Sequence, residues 1–306
     1  MYKPLSAKKY GLSAYSKRRN TIIAFLFMAP ALVLLVTFVF YPIVFSLPLA
    51  FTDYSVLNET SFVGFDNFKR ALMDSDFWVS LLNSVFFVLV VPPLQILSII
   101  LAVVVNKKIR GITFFKVLFY IPVVTSMIAV SIIWSLLFDQ NGVINKLLTI
   151  MHLINAPILF LNDVHIVMFS LMFVTIWQGL GYYMMLYLAG LQSIPTDIEE
   201  AAHIDGAGGF ITFTRITLPL LKPYIWFCSL LSLLSAIGVF DVVFAMTDGG
   251  PDKASMVIHY YTYQTAFVNF EFGYSSAIGL LTSIITITLS SIIFFYGRKG
   301  GMNLSE

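Results

Sequence analysis

Charge is what this sequence has least of. Only 11% of its 306 residues are charged while 58% are hydrophobic, against about a quarter charged in an ordinary soluble domain. Mean hydropathy is +0.88. The apolar residues fall in long runs, not in the stripes a soluble core needs, which points to one polytopic membrane domain and against two soluble ones. Cysteine is almost absent. Cys228 stands alone inside an apolar run, permits no internal disulfide, suits no metal cluster and reads as a small packed hydrophobe. There is no GxxxxGK[ST] sequence and no Gly-Lys pair, hence no phosphate cradle, and no HExxH or CxxC pattern. His152, His165, His203 and His259 are scattered over separate segments. The chain is expected to be no enzyme and to hold no metal or cofactor of its own. A formal net charge of +2 without a basic patch argues against a nucleic-acid partner.

Long apolar runs are what it does have. Crossing a hydrocarbon core takes roughly 20 apolar residues in a helix. Six windows qualify or nearly do, 21–41, 84–105, 117–138, 166–190, 224–246 and 274–296, and only the fifth carries a charge, Asp241. An all-α membrane protein of six spans follows. Its tail holds Lys3, Lys8, Lys9, Lys17, Arg18 and Arg19 with no acid, so the positive-inside rule puts it in the cytoplasm, and six passes return the C-terminus there. This orientation places 14 of the 18 Lys and Arg residues inside and leaves Lys69, Arg70, Lys146 and Lys253 outside. The expected division is a basic tail over 1–20, a membrane domain over 21–297 and a second cytoplasmic tail over 298–306. The run from Thr21 is longer than a signal-peptide core and lacks a clear cleavage site, so it reads as a retained first helix. Pro92 and Pro93 should kink the second span. The absence of an internal repeat counts against many secondary transporters. The stretch from Phe62 to Phe68 mixes aromatic and polar residues in a way that suits the membrane surface.

The most patterned stretch is the loop 195–219. Thr196 followed by Glu199 forms a capping box with Pro195 ahead of it, so a short helix should begin at Asp197, and Gly206 is placed to end it. About two turns of helix are unstable alone and need a surface to hold them. Ile198, Ala201 and Ala202 would give that helix a narrow apolar face, with Glu199, Glu200 and Asp205 as rim acids. A solvated reversal loop is the plainer alternative that spacing leaves open.

These residues resemble a known family. Glu200-Ala201-Ala202, three residues, Gly206, nine residues, Ile216, one residue and Leu218-Pro219 match the EAA motif of binding-protein-dependent ABC importer permeases. The resemblance implies the type I permease fold and makes the loop helix a coupling helix docked in a cytoplasmic ATPase. Glu200, Ala201, Ala202, Asp205, Gly206, Ile216, Leu218 and Pro219 are then the coupling residues. Phe240-Asp241, Met246 to Pro251 and Tyr263 to Phe267, with Phe62 to Phe68 and Arg110 to Pro122, look like the sugar-importer branch, which includes maltose and glycerol-phosphate permeases. Asp248 departs from it, since many relatives carry a small or neutral residue there. Implied partners are a second homologous permease in a heterodimer, two ATPase subunits that bind ATP and Mg, and an extracytoplasmic sugar-binding protein, in the cytoplasmic membrane of a prokaryote.

A sugar path needs hydrogen-bonding groups and aromatic faces near the midplane. Gln178, Tyr182, Tyr183 and Ser235 have that chemistry, and alignment through the motif adds Leu186 and Gly190. Asp241 lies only about 7 Å from the outer end of its helix at 1.5 Å per residue, where a structural role competes with solute contact. The rival readings are an ABC permease for a non-sugar solute and an ion-gradient secondary transporter, for which more buried charge is expected.

Overall fold

The computed structural model describes residues 14–55, 60–107 and 110–299. Lys3, Lys8, Lys9, Lys108 and the tail beyond residue 299 lie outside them. Five helical runs are long and apolar enough to cross a membrane, Arg19–Leu49, Ser75–Asn106, Met127–Ile150, Val167–Gln192 and Phe272–Phe295. The bent pair Gly209–Leu220 and Lys222–Ile237, taken as one, makes a sixth. Among the described residues the only β pairings are two isolated bridges.

Proline shapes the first spans. Helices α1 (Ala14–Leu35) and α2 (Tyr41–Leu49) are joined by a π-helical turn, Val36–Phe40, in which the Tyr41 amide reaches back to the Val36 carbonyl. Pro42 cannot donate, and its ring would strike the Phe38 carbonyl, so the helix widens by one residue and continues. The first span is thereby longer than the expected 21–41. After α3 (Asp66–Met73), α4 (Ser75–Phe87) meets α5 (Val91–Asn106) through a single 3-10 turn, Val88–Val90, placing Pro92 and Pro93 in a helical first turn where missing amides cost nothing.

The expected third span, 117–138, is broken. It consists of α6 (Ile112–Val124) and α7 (Met127–Phe138), with Thr125 and Ser126 extended between them. Beyond α8 (Val143–Ile150) comes the longest interior helix, α9 (Val167–Gln192), and then the loop elements α10 (Thr196–Ile204), α11 (Gly209–Thr212) and α12 (Leu218–Leu220). The expected fifth span, 224–246, is also divided. Helix α13 (Lys222–Ile237) stops at Gly238, and α14 (Asp241–Met246) starts anew with Asp241 in its first turn. There the exposed carboxylate faces the positive end of a helix dipole, so no ion is stranded in hydrocarbon. The chain closes with α15 (Ile258–Tyr263) and α16 (Phe272–Lys299).

Helix α9 is the axis of the bundle, packed by α5, α6 and α13. One buried cluster around Leu94, Met184, Tyr187, Leu221 and Cys228 fills the half nearer the loop, and another around Phe87, Leu171, Val174, Val242 and Val257 fills the opposite half. The first span contributes nothing to either. None of its hydropathy window is buried, so its apolar side chains face outward, as lipid permits.

A polar framework ties the end of the bundle where α4 and α16 begin. Asn67 donates to the carbonyls of Ala50 and Thr52 at 3.0 and 2.7 Å, which holds α3 down while Phe62 and Phe65 stay 80% and 74% exposed. Half-buried Asp74 accepts hydrogen bonds from the Tyr261 hydroxyl, the Tyr274 hydroxyl (2.6 Å) and the Asp76 amide (2.9 Å). Arg70 stacks 3.9 Å over the Tyr274 ring and pairs with Glu271 at 2.8 Å. Lys253 pairs with Asp76 at 2.6 Å, and the Asn83 amide holds the Lys253 and Met256 carbonyls. Burial pushes the Asp74 carboxyl up, but the two tyrosine hydroxyls, the amide and Arg70 outweigh it and hold the group below the usual carboxylate range. A depressed acid stabilises the fold above its unfolded-state value, and that contribution fades as pH falls through the folded-state value. Thermal melts of the purified protein between pH 6 and pH 3 should therefore show wild type losing more stability than Asp74→Asn, with the variant the less stable at pH 6.

Candidate functional site

Two features carry chemistry. The first is the loop joining α9 to α13. Helix α10 starts at Thr196, one residue from the expected start, and the Ile198 amide bonds to the Pro195 carbonyl. At its other end Gly206 takes φ +77°, and the Ala207 amide reaches back to the Ala202 carbonyl at 2.9 Å, the six-residue bond of a Schellman cap. A side chain at Gly206 would meet no neighbour, so glycine is required by backbone conformation and not by space. The apolar face expected from Ile198, Ala201 and Ala202 divides. Ala202 is buried against its own chain, and it is the one buried member among the helix's described side chains. Ile198, Ala201 and Ile204 point away, Ile204 being 85% exposed, and Phe210 is 80% exposed just beyond the cap. Glu200, Asp205 and Pro219 are exposed beside them, while Ile216 and Leu218 are half-buried around the π-helical turn Phe213–Thr217 that precedes Pro219. The turn repeats the solution seen before Pro42. Together these residues present an apolar surface with an acidic rim at the tip of a loop.

The second feature is a cavity of about 330 Å³ lined by Val123, Gln178, Gly179, Tyr182, Tyr183, Leu231 and Ser235. It brings together four of the sequence candidates, Gln178, Tyr182, Tyr183 and Ser235. Their spacing explains it. Gln178 and Tyr182, Gly179 and Tyr183, and Leu231 and Ser235 are each one turn apart, so α9 and α13 both turn one stripe to the same space. Tyr182 and Tyr183 meet edge to face with ring centroids 5.1 Å apart. The Gln178 amide donates to the Thr125 carbonyl at 3.1 Å, at the break between α6 and α7. The lining therefore offers an aromatic face, tyrosine and serine hydroxyls and a carboxamide oxygen, a set suited to a neutral polyhydroxyl solute.

Leu186, Gly190 and Asp241 lie elsewhere. Gly190 packs where a Cβ would stand 2.8 Å from the Tyr224 ring, Leu186 packs at the edge of the cluster around Tyr187, and Asp241 opens α14 beyond the cavity. Sequence reasoning missed Val123, Gly179 and Leu231 as lining residues. The one-turn partners of Tyr183 and Ser235 pointed to Gly179 and Leu231, but nothing marked Val123.

A sequence model of one family, described as the binding-protein-dependent transport system inner membrane component, matches residues 75–299. The chain belongs to this family. It is a transport subunit, a multi-pass membrane protein and not a catalyst. A probable ABC transporter permease of Bacillus subtilis, YurN, is 35% identical over 92% of this chain and 98% of its own length. The lactose transport system permease LacF of Rhizobium radiobacter is 33% identical over 92% and 96%, and the trehalose/maltose permease MalF of Thermococcus litoralis 30% over 94% and 97%. A crystal structure of a bacterial alginate ABC transporter, in complex with an alginate pentasaccharide-bound periplasmic protein, contains a chain that superposes with a TM-score of 0.81 at 21% identity, covering 94% of this permease and 97% of that chain. That likeness establishes the type I importer permease fold.

The cavity depends on close approach of α6 to α9. A Cβ at Gly181 would stand 2.0 Å from the Phe119 carbonyl oxygen, whereas one at Gly179 would stand 3.4 Å from Leu94, an ordinary contact. Gly181→Ala should therefore cost about 1–3 kcal/mol through overpacking and lower the melting temperature of the detergent-purified permease. Gly179→Ala should leave that temperature near wild type while it narrows the cavity.

Proposed function

We propose that this permease carries a saccharide across the cytoplasmic membrane of a prokaryote, driven by a separate ATPase through the helix Thr196–Ile204. The observation that carries the reading is the form of that helix: capped at its end by Gly206, anchored by Ala202, and turning Ile198, Ala201, Ile204 and Phe210 outward beside Glu200 and Asp205. A nine-residue helix has little stability of its own, and exposed apolar groups of this size mark a docking surface. Coupling is assigned to Glu200, Ala201, Asp205 and the apolar tip, with Ala202, Gly206, Ile216, Leu218 and Pro219 fixing its shape. Gln178, Tyr182, Tyr183 and Ser235 form the solute path.

The partners of this reading are a second, homologous permease, two cytoplasmic ATPase subunits that hold ATP and Mg, and an extracytoplasmic binding protein. Both termini lie in the cytoplasm, the side to which the positive-inside rule assigns the loop and the basic tail. The membrane domain runs over 21–297. Closure of the ATPases draws the loop helices together and tips the bundles, so that two conformations of the path differ in affinity for the closed ATPase dimer. The carbohydrate assignment draws on the relatives that carry lactose and trehalose/maltose in their names and on the aromatic and hydroxyl chemistry of the cavity. Glu200→Lys is expected to insert at wild-type levels and to lose at least about tenfold of ATP-dependent uptake, the scale of a lost charge-assisted contact. Labelled-saccharide uptake into vesicles checks it, and undiminished uptake by the variant would overturn the coupling role.

A further inference from the structure

Directly beneath the cavity, on the side of the loop, the membrane domain contains a saturated polar joint. Gln95 of α5 is 6% exposed, and its Nε2 donates to Ser232 Oγ at 2.7 Å and to the Cys228 carbonyl at 3.2 Å, both on α13. Its Oε1 accepts from the Tyr187 hydroxyl of α9 at 2.5 Å. The Ser232 hydroxyl in turn donates to the Ser229 carbonyl at 3.1 Å. The Cys228 carbonyl fixes which way the amide points. A flipped amide would set oxygen against oxygen there, while a tyrosine hydroxyl accepts either partner. One side chain thus ties three spans in a buried layer, where each lost partner leaves a group unpaired.

The joint adjoins the cavity through every helix it holds. Tyr187 follows Tyr183 by one turn on α9, Ser232 precedes Ser235 by one turn on α13, and Leu94, the residue before Gln95, lies against Gly179. We propose that Gln95 is a positioning residue for the solute path: its carboxamide holds α5, α9 and α13 in the register that turns Gln178, Tyr182 and Ser235 to one space, and this joint is the one exchanged when the path opens toward the loop. The proposal rests on the reading of the cavity as the solute path. Gln95 touches no solute and acts through Tyr187 and Ser232.

The chain supplies its own reporter. Cys228 is its single cysteine, is fully buried and contributes its carbonyl to the joint. The complex purified with its partner subunits is treated with N-ethylmaleimide, at rest and during ATP turnover, and modification of the Cys228 peptide is followed by mass spectrometry. Wild type should label slowly at rest and faster in turnover. Gln95→Leu should label at rest about tenfold faster, the equivalent of one buried hydrogen bond, and lose the dependence on ATP, with solute moved per ATP hydrolysed falling in proportion. Tyr187→Phe keeps ring volume and should shift labelling the same way, and the double variant should fall short of the sum of the two because both break one joint. If Gln95→Leu does not assemble, Tyr187→Phe alone decides. Wild-type labelling in these variants, with and without ATP, would overturn the proposal. A wild-type complex that labels as expected but imports no saccharide would remove the carbohydrate reading and leave the joint standing.

Discussion

In hydrocarbon a backbone carbonyl without a partner finds no water to turn to, and the bond from Gln178 to the Thr125 carbonyl is where this permease meets that constraint. The break between α6 and α7 exposes backbone polar groups in the middle of an apolar run. A side chain from α9 closes one of them, and the same side chain lines the cavity. Irregular backbone at membrane depth is tolerated where it faces protein or a wet space, and Gln178 joins the break to the cavity. The same logic governs the prolines. Pro42 and Pro219 each follow a π-helical turn, and Pro92 and Pro93 a 3-10 turn, so each missing amide is absorbed without a polar gap facing lipid.

What a sequence discloses about such a molecule follows from the same solvent. Span number and the loop helix were readable because lipid imposes length and apolarity on every crossing, and because a left-handed glycine, here Gly206, ends a helix by local rules. Span continuity was not readable. The window 117–138 holds no charge and only Pro122 as a warning, and the carbonyl of Thr125 at its division is met by Gln178, which is 53 residues away. The division at Gly238 left a better trace, a glycine followed three residues later by an acid that starts a helix, and an intramembrane Asp241 was the sign that the simple window had run too far.

Candidate path residues divide along the same line. Gln178, Tyr182, Tyr183 and Ser235, singled out by chemistry, line one cavity, since polar and aromatic groups are scarce in an apolar span and each must face something other than lipid. Gly190 has the small size that close packing needs, and the structure places it under the Tyr224 ring. Size alone does not distinguish a path glycine from a packing one. Gly179 lines the cavity and Gly181, two residues away on the opposite stripe, admits the Phe119 carbonyl. Register on α9 decides which is which, and it becomes visible only when the neighbouring helices are in place.

The loop and the cavity are linked by covalent continuity. Residues 193–221 leave from the end of α9 and re-enter as α13, and these two helices carry Gln178, Tyr182, Tyr183, Leu231 and Ser235. A force applied at Ile204 and Phe210 reaches the cavity through the same pair of rods, and the bend of 66° at Leu221 converts displacement of the loop into tilt of α13. Tilt of α13 against α9 and α5 would strain the bonds from Gln95 first, since among the described residues no other hydrogen-bonded side chain joins all three helices. In the coupling proposed above, the short loop helix would act on the cavity through α9 and α13, with the Gln95 joint between them.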